Sequence, residues 1–229
     1  MSIVSRRRFL SASLALALLP HGVRAEFGSQ PDIVVVGAGA AGLAATQTLL
    51  EHGANVLLIE SSNRIGGRAV TDTTIFGTPY DLGASWLHAA HLNPFVTYGQ
   101  NHGFDIYPEP GGYTYFIGNQ QAGEKETAKV EHLYRSAYQA IARAGRRGKD
   151  ISASEAIGND LLNASWGPTV AAEIGSWEMG ADLDSFSSLD WWNMEDGVNY
   201  FCRQGFGTLL SHYGRDIPVS LNTIVTGID

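Results

Sequence analysis

The reading of this chain turns on Asp32-Ile33-Val34-Val35-Val36-Gly37-Ala38-Gly39-Ala40-Ala41-Gly42. The β-branched run predicts a strand buried on both faces of a parallel sheet. The glycines after it keep G-x-G-x-x-G spacing, and each has its own physical task. Gly37 permits a tight turn out of the strand, Gly39 lets backbone N–H groups approach a pyrophosphate, and Gly42 lets helix and strand pack closely. The phosphates would then sit on the N-terminus of a helix opening at Ala40 and Ala41.

Ala41, Ala45 and Leu49 recur at i, i+4 and i+8, so the helix from about Ala40 to His52 is expected to lay a small-residue stripe on the sheet. Gly53 stops it. A second strand, Asn55-Val56-Leu57-Leu58-Ile59, ends in Glu60, 18 residues after Gly42 and near the spacing at which a carboxylate accepts the ribose hydroxyls of an adenine dinucleotide. Strand, helix, strand and acid complete a βαβ unit of about thirty residues.

The residues that follow separate one dinucleotide from another. Glu60-Ser61-Ser62-Asn63-Arg64-Ile65-Gly66-Gly67-Arg68 resembles the E-x-x-x-R-x-G-G-R signature of the flavin-containing amine oxidases and of the related carotene desaturases and protoporphyrinogen oxidases. Gly66 and Gly67 permit a second close backbone approach, and Arg64 and Arg68 would bring cationic forks to the pyrophosphate and its flavin end. Further on, Thr78-Pro79-Tyr80-Asp81-Leu82-Gly83-Ala84-Ser85-Trp86-Leu87-His88 resembles the amine-oxidase segment that runs beneath the flavin ring. Gly83, Ala84 and Ser85 are small, as a backbone passing close to a planar ring requires, and Trp86 follows them. This second match favours the amine oxidases over the other two groups. The Asn93-Pro94 after it also fits the family, where it opens a helix.

His88 carries two readings. In the polyamine-oxidase branch the matching histidine lies near the substrate amine and the flavin, which implies proton handling or substrate positioning; the other reading is a histidine bonded to a neighbouring backbone group. His88 and His91 are three apart, but no third ligand with suitable spacing accompanies them, so no metal is expected. Gly83-Ala84-Ser85-Trp86-Leu87 lacks the second glycine of a hydrolase nucleophile elbow, and no G-x-x-x-x-G-K-[ST] loop occurs.

Met1 to Ala25 reads as an address and not as part of the fold. Ser5-Arg6-Arg7-Arg8-Phe9-Leu10 resembles a twin-arginine export motif, a short apolar run follows from Ala12 to Leu19, and Val23-Arg24-Ala25 resembles a signal-peptidase site. Cleavage after Ala25 and a periplasmic destination are the expectation, without stable membrane insertion, because the apolar run is far short of the ~20 residues a bilayer needs. Cleavage would leave 11 basic against 23 acidic side chains, a net charge of −12. No basic patch remains to neutralise phosphates, so a nucleic-acid partner is not expected. Cys202 is the single cysteine, which excludes an internal disulfide and reads as a buried structural thiol.

Beyond Arg68, Ala69 to Ile75 reads as a strand, and the aromatic and glycine-rich text from Phe104 to Gln121, Gly111 to Phe116 with Gly118-Asn119 after it, suggests a hairpin. Val130, Leu133, Tyr134, Ala137, Tyr138 and Ile141 keep helical spacing, with Glu131 and Arg135 paired on another face and Gly145 expected to end the helix ahead of a basic loop from Arg143 to Lys149. Ser152 and Glu155 predict a capping box for a helix reaching about Asn163, and Pro168 opens another near Thr169 to Met179. Trp166, Trp177, Trp191 and Trp192 read more readily as core than as an aromatic substrate cage. Gln204 to Leu210 resembles the glycine-aromatic turn and helix by which the family returns to its flavin domain. Strands are then expected at Ile217 to Ser220 and Ile224 to Ile228, with Val225 near the adenine.

The resemblance implies an α/β fold: a Rossmann-like FAD-binding domain of the GR2 type at residues 30–77 and 203–229, and an inserted, incomplete α+β substrate domain at 78–202. It implies FAD as cofactor, a small-molecule amine as substrate and oxygen as the second substrate. Hydride would pass from the carbon beside a neutral amine to flavin N5, the imine would hydrolyse, and the electrons would return to oxygen as hydrogen peroxide. The chain matches the first part of the family pattern. The later part, which carries the rest of the substrate sheet, a lysine near N5 and the aromatic cage, is not matched, so the chain reads as a truncation of the family pattern; the alternative is a non-catalytic FAD-binding fragment, or one half of a split assembly with a complementing C-terminal half.

Overall fold

The computed structural model describes residues 30–194 and 197–228, so the leader expected at residues 1–25 lies outside the described residues. The chain divides into two compact units. One runs through Leu87, takes in Asn93–Tyr107 and resumes at Tyr200; the other comprises His88–Leu92 and Pro108–Asn199.

The first unit begins with β1 (Ile33–Val36), α1 (Ala40–Glu51) and β2 (Val56–Ile59). β1 and β2 pair in parallel, Ile33 opposite Val56 through Val36 opposite Ile59. The helix does not rest on its alanine stripe: Ala41 and Ala45 are exposed, while Leu43 and Thr46 are buried. Leu43 prevails because it fills a cluster with Ala38, Leu58, Ala69, Leu210 and Ile217, removing far more apolar area from water than alanine could. Nor is β1 buried on both faces, since Ile33, Val34 and Val36 are 36%, 50% and 57% exposed. Among the described residues its one strand partner is β2, and the covering layers of a wider parallel sheet are not there.

Beyond β2, backbone bonds from Ser220 N to the Leu58 carbonyl (2.8 Å) and from Glu60 N to the Ser220 carbonyl (2.9 Å) make a single parallel bridge. The strand expected at Ile217 to Ser220 is reduced to this bridge, and Ile224 to Ile228 forms no strand. With no neighbour to pair, Ile224 and Ile228 stand 71% and 86% exposed.

The strand expected over Ala69 to Ile75 shortens to β3 (Thr71–Asp72), which pairs antiparallel with β4 (Tyr80–Asp81). The cause is Asp72, whose carboxylate accepts the N–H groups of Thr74 (2.7 Å) and Ile75 (2.9 Å) and turns the chain. α2 (Pro94–Asn101) starts where Asn93 Oδ1 accepts the Phe95 N–H. β5 (Ile106–Pro108) pairs with a strand at Tyr200–Cys202, which leads into a terminal helix at Phe206–Tyr213. Phe95 of α2 meets the rings of Phe206 and Tyr213, and so 78–87 and 93–107 group with the first unit, although the sequence places a boundary at Thr78.

In the second unit, β6 (Phe116–Ile117) and β7 (Gln120–Gln121) form the hairpin, with Gly118 left-handed at φ +64°. α3 (Glu124–Arg146) buries Val130, Leu133, Ala137 and Ile141, as their spacing predicts. Gly145 does not end it. A Cβ there would lie 2.3 Å from the Ser188 carbonyl and from Trp192 Cβ, so this glycine admits a neighbouring helix, and the turn falls at Gly148, φ +70°. Arg143 and Arg146 are thus helical and not part of a loop.

Ser152 Oγ accepts the Glu155 N–H and starts α4 (Ala153–Ile157), but Gly158 at φ +84° breaks the expected longer helix before α5 (Asn159–Leu162). α6 (Gly167–Ala172) runs into a π-helical segment at Glu173–Met179, and α7 (Ser188–Asn193) is capped by Ser187. With α3, these elements enclose a core of Ala153, Ile157, Val170, Ile174, Leu183 and Trp191. Trp191 is core and Trp166 half-buried, whereas Trp177 and Trp192, 57% and 44% exposed, are not core. The strand at Tyr200–Cys202 and the helix at Phe206–Tyr213 are β8 and α8 below.

Candidate functional site

Two glycine loops meet in the first unit. Gly37 leaves β1 at φ +94°, its N–H bonded to the Ile59 carbonyl (2.8 Å). Gly42 admits no side chain, since a Cβ would sit 1.8 Å from the Gly37 carbonyl oxygen. The Gly66–Gly67 loop, left-handed at φ +101° and +56°, closes on the first: Gly66 N–H bonds the Ala38 carbonyl (2.8 Å), and a Cβ on Gly67 would lie 3.2 Å from Gly39 Cα. Between them α1 opens with no side-chain cap and no acid in its first turn, so the N–H groups around Ala40 and Ala41 form an electropositive end.

Glu60 ties these loops together. Its Oε2 accepts the Ala38 N–H (2.8 Å), and its Oε1 accepts the Ser62 N–H and hydroxyl (2.8 Å each) and the Ser61 hydroxyl (3.3 Å). The Ser62 N–H, then the Ala38 N–H and the hydroxyls, outweigh desolvation and hold the carboxyl at a pKa of about 2. The side chain is 8% exposed. A carboxylate has about four acceptor positions, and Oε2 retains one beyond Ala38 for a hydroxyl.

The arginines divide. Arg64 donates to the carbonyls of Ile65 (3.2 Å) and Gly67 (2.8 Å), bracing its own loop, while Arg68 is exposed. Gly83 lies against this loop, where a Cβ would be 2.0 Å from the Arg68 carbonyl oxygen, and Ala84 N–H bonds that oxygen at 3.1 Å. The segment Gly83, Ala84, Ser85, Trp86 therefore leaves directly from the arginine-glycine loop. Val225, by contrast, lies in no strand and is 36% exposed; only Asn222 and Thr223 bond back, to the carbonyls of Ser62 and Glu60.

His88 belongs to the second unit. Its Nδ1 lies 3.0 Å from Asn199 Oδ1, and Asn199 Nδ2 donates to Glu109 Oε2 at 3.2 Å. A carboxylate only accepts, so Glu109 fixes which way the amide faces, and the amide oxygen then requires His88 to carry its proton on Nδ1. His88 is thus bonded to the Asn199 side chain, a partner the sequence does not suggest. No sequence signal announces Asn199 or Glu109. The same is true of the bond from Thr71 Oγ1 to Asp81. Ser62 was within reach, because serines just after a strand-end acid commonly turn back on it. Cys202 is buried, and burial pushes its thiol pKa up. Among the described residues no group of three or more His, Cys, Asp or Glu gathers as for a metal.

A parallel βαβ unit with an uncapped helix N-terminus, paired glycine loops and an acid at the second strand end defines an α/β dinucleotide-binding fold. Residues 40–217 match the model of the family described as flavin containing amine oxidoreductase, and the chain belongs to that family. It is 40% identical to probable polyamine oxidase 4 of Arabidopsis thaliana over 99 residues, 41% of this chain and 20% of that protein. It is likewise 40% identical to polyamine oxidase 4 of Oryza sativa subsp. japonica over 133 residues, 51% of this chain and 26% of that protein. Among solved structures, putrescine oxidase bound to putrescine matches with a TM-score of 0.52 and 21% identity, over 84% of this chain and 51% of that one. The chain thus spans about half the length of that structure, and the likeness speaks for an FAD-binding α/β fold. The site fits the cofactor: a Cβ on Gly67 would crowd Gly39 at 3.2 Å, and the first turn of α1 offers N–H groups without a competing carboxylate.

Proposed function

We propose that this chain is the FAD-holding portion of an amine oxidase acting on a primary or secondary amine of the polyamine class. The observation that carries this is the meeting of the Gly37–Gly42 and Gly66–Gly67 loops around an ionised Glu60. In the fold proposed, a Rossmann-like FAD domain of the GR2 type is interrupted by an inserted α+β substrate domain. Backbone N–H groups of Gly39, Ala40 and Ala41 would hold the pyrophosphate, Glu60 would accept from the adenosine ribose, and Arg68 would meet the remaining negative charge. Arg64 would keep Gly66 and Gly67 in their left-handed turn, and Gly83 to Trp86 would lie along the flavin ring. FAD would supply the redox chemistry, taking a hydride equivalent from the carbon beside the amine and passing two electrons to oxygen to give hydrogen peroxide. His88 would handle a proton or position the substrate amine. Export by the twin-arginine route, with cleavage after Ala25, would deliver the folded protein to the periplasm.

A second reading, an FAD-binding fragment needing a complementing C-terminal half, is favoured by the exposed side chains of β1. One experiment separates the two. The full chain is purified, its visible spectrum recorded and an amine such as putrescine added without oxygen; flavin absorbance that bleaches supports the oxidase, flavin that stays oxidised supports the fragment, and a colourless protein overturns both.

A further inference from the structure

α8 is joined at both ends to the loops assigned to FAD. At its N-terminus the Asp81 carboxylate accepts the N–H groups of Phe206 (2.9 Å, Oδ2) and Gly207 (3.3 Å, Oδ1), and Thr71 Oγ1 accepts the Thr208 N–H (3.0 Å). Thr71 in turn donates its hydroxyl proton to Asp81 Oδ1 at 2.5 Å, so one hydroxyl and one carboxylate satisfy three orphan donors of the helix. The fit is close on the backbone side as well. A Cβ on Gly207 would meet Thr71 N at 2.3 Å, and one on Gly205, at φ +89°, would meet the Thr71 side chain at 2.3 Å. At the other end, Leu210 is buried with Leu43 of α1, and a Cβ on Gly214 would lie 2.7 Å from Ile65 Cδ1 and 2.9 Å from Leu43 Cδ2.

Asp81 stands two residues before Gly83, on the segment assigned to the flavin ring, while Leu43 and Ile65 belong to the elements assigned to the phosphates. We infer that α8 is a strut fixing the distance between the ring end and the pyrophosphate end of the FAD site, and that Thr71 and Asp81 are the positioning residues that clasp it. The inference rests on the proposed function. A loosened clasp would let Gly83–Trp86 shift against Arg68, so the effect should reach the ring's surroundings and not stability alone.

The test uses the full chain and FAD. Thr71→Val removes the hydroxyl and keeps the β-branched shape; the FAD dissociation constant, read from flavin fluorescence, should rise about tenfold. The visible bands of bound flavin should shift from those of the unmodified chain, and Thr71→Ser should restore both. Asp81→Asn keeps the size and loses an acceptor, and should match Thr71→Val; if it does not fold, the Val and Ser pair decides. Unchanged affinity and bands in a folded Thr71→Val chain overturn the strut, as does a lowered melting temperature with unmoved bands. An unmodified chain that takes up no FAD overturns the proposed function itself, a failure visible before any variant is made.

Discussion

In the second unit ten buried side chains, from Val130 to Trp191, form one apolar cluster under α3, whereas the apolar cluster beneath α1 in the first unit joins six among the described residues and a strand of valines stays in contact with water. The first unit draws its tertiary ties instead from carboxylates and glycines: Glu60 on two loops, Asp81 on α8, and Gly42, Gly67 and Gly83 where backbone meets backbone. An apolar core is tolerant of volume-conserving exchange, while a backbone crossing admits almost nothing. A unit built on such crossings gains stability from whatever ligand it encloses, so the first unit should be the one that FAD raises and the second the one that stands without it.

The largest effect expected is in the second unit. Ile141→Ala, at a side chain with no exposure, should cost about 2–5 kcal/mol in denaturant unfolding of the full chain. FAD affinity measured on the folded variant should not change, and a parallel loss would break the separation between the units.

Next is Glu60→Gln, which keeps the shape and removes the charge that Ala38 and Ser62 hold. FAD binding should weaken by about 1.5–3 kcal/mol in a fluorescence titration. Because the folded pKa is about 2 against an ordinary 4.5, the carboxylate stabilises the fold above pH 4.5, and that stabilisation is lost as pH falls toward 2. Acid unfolding across this window should therefore be steeper for the unmodified chain than for Glu60→Gln, and coincident curves would remove Glu60 from the junction.

The same contrast explains what the sequence reveals. Glycine loops, a strand-end acid and capping side chains carry their signal in residue type and short spacing, so Gly37 to Gly42, Glu60, Asn93 and Ser152 are legible one by one, although the Ala38 N–H that Glu60 holds lies 22 residues back. Val130 to Ile141 is legible because a helix repeats. Asn199, 111 residues from His88, and Asp81, 125 from Phe206, meet their partners only once the chain has folded, and spacing carries no trace of that. Gly145 misleads for a related reason, since a glycine that ends a helix and one that admits a neighbour look alike until Ser188 arrives. The Ala41, Ala45 and Leu49 stripe fails because regular spacing says where a face is, and not which face the neighbours can fill.

A smaller effect is expected at Glu109→Gln. A neutral amide can turn either end toward Asn199, so the orientation of Asn199 and the proton position on His88 cease to be fixed. Nitrogen NMR of labelled imidazole should change from one tautomer to a mixture, with about 0.5–1.5 kcal/mol lost in kcat/KM where the chain turns over an amine. An unchanged single tautomer would show that another group sets it.

The smallest effect is expected at Val34→Thr in β1. The two side chains share size and β-branching, so strand preference is nearly kept, and the difference is a hydroxyl in place of a methyl group. At 50% exposure that hydroxyl remains hydrated, and stability should change by no more than about 0.5 kcal/mol. In a parallel strand covered on both faces the same hydroxyl would lose its water and cost about 1–3 kcal/mol. Denaturant unfolding of the full chain thus measures whether β1 is open in solution. A cost above 1 kcal/mol would mean that something covers the strand, as a complementing half would, and the contrast between an open first unit and a closed second one would then hold only for the chain by itself.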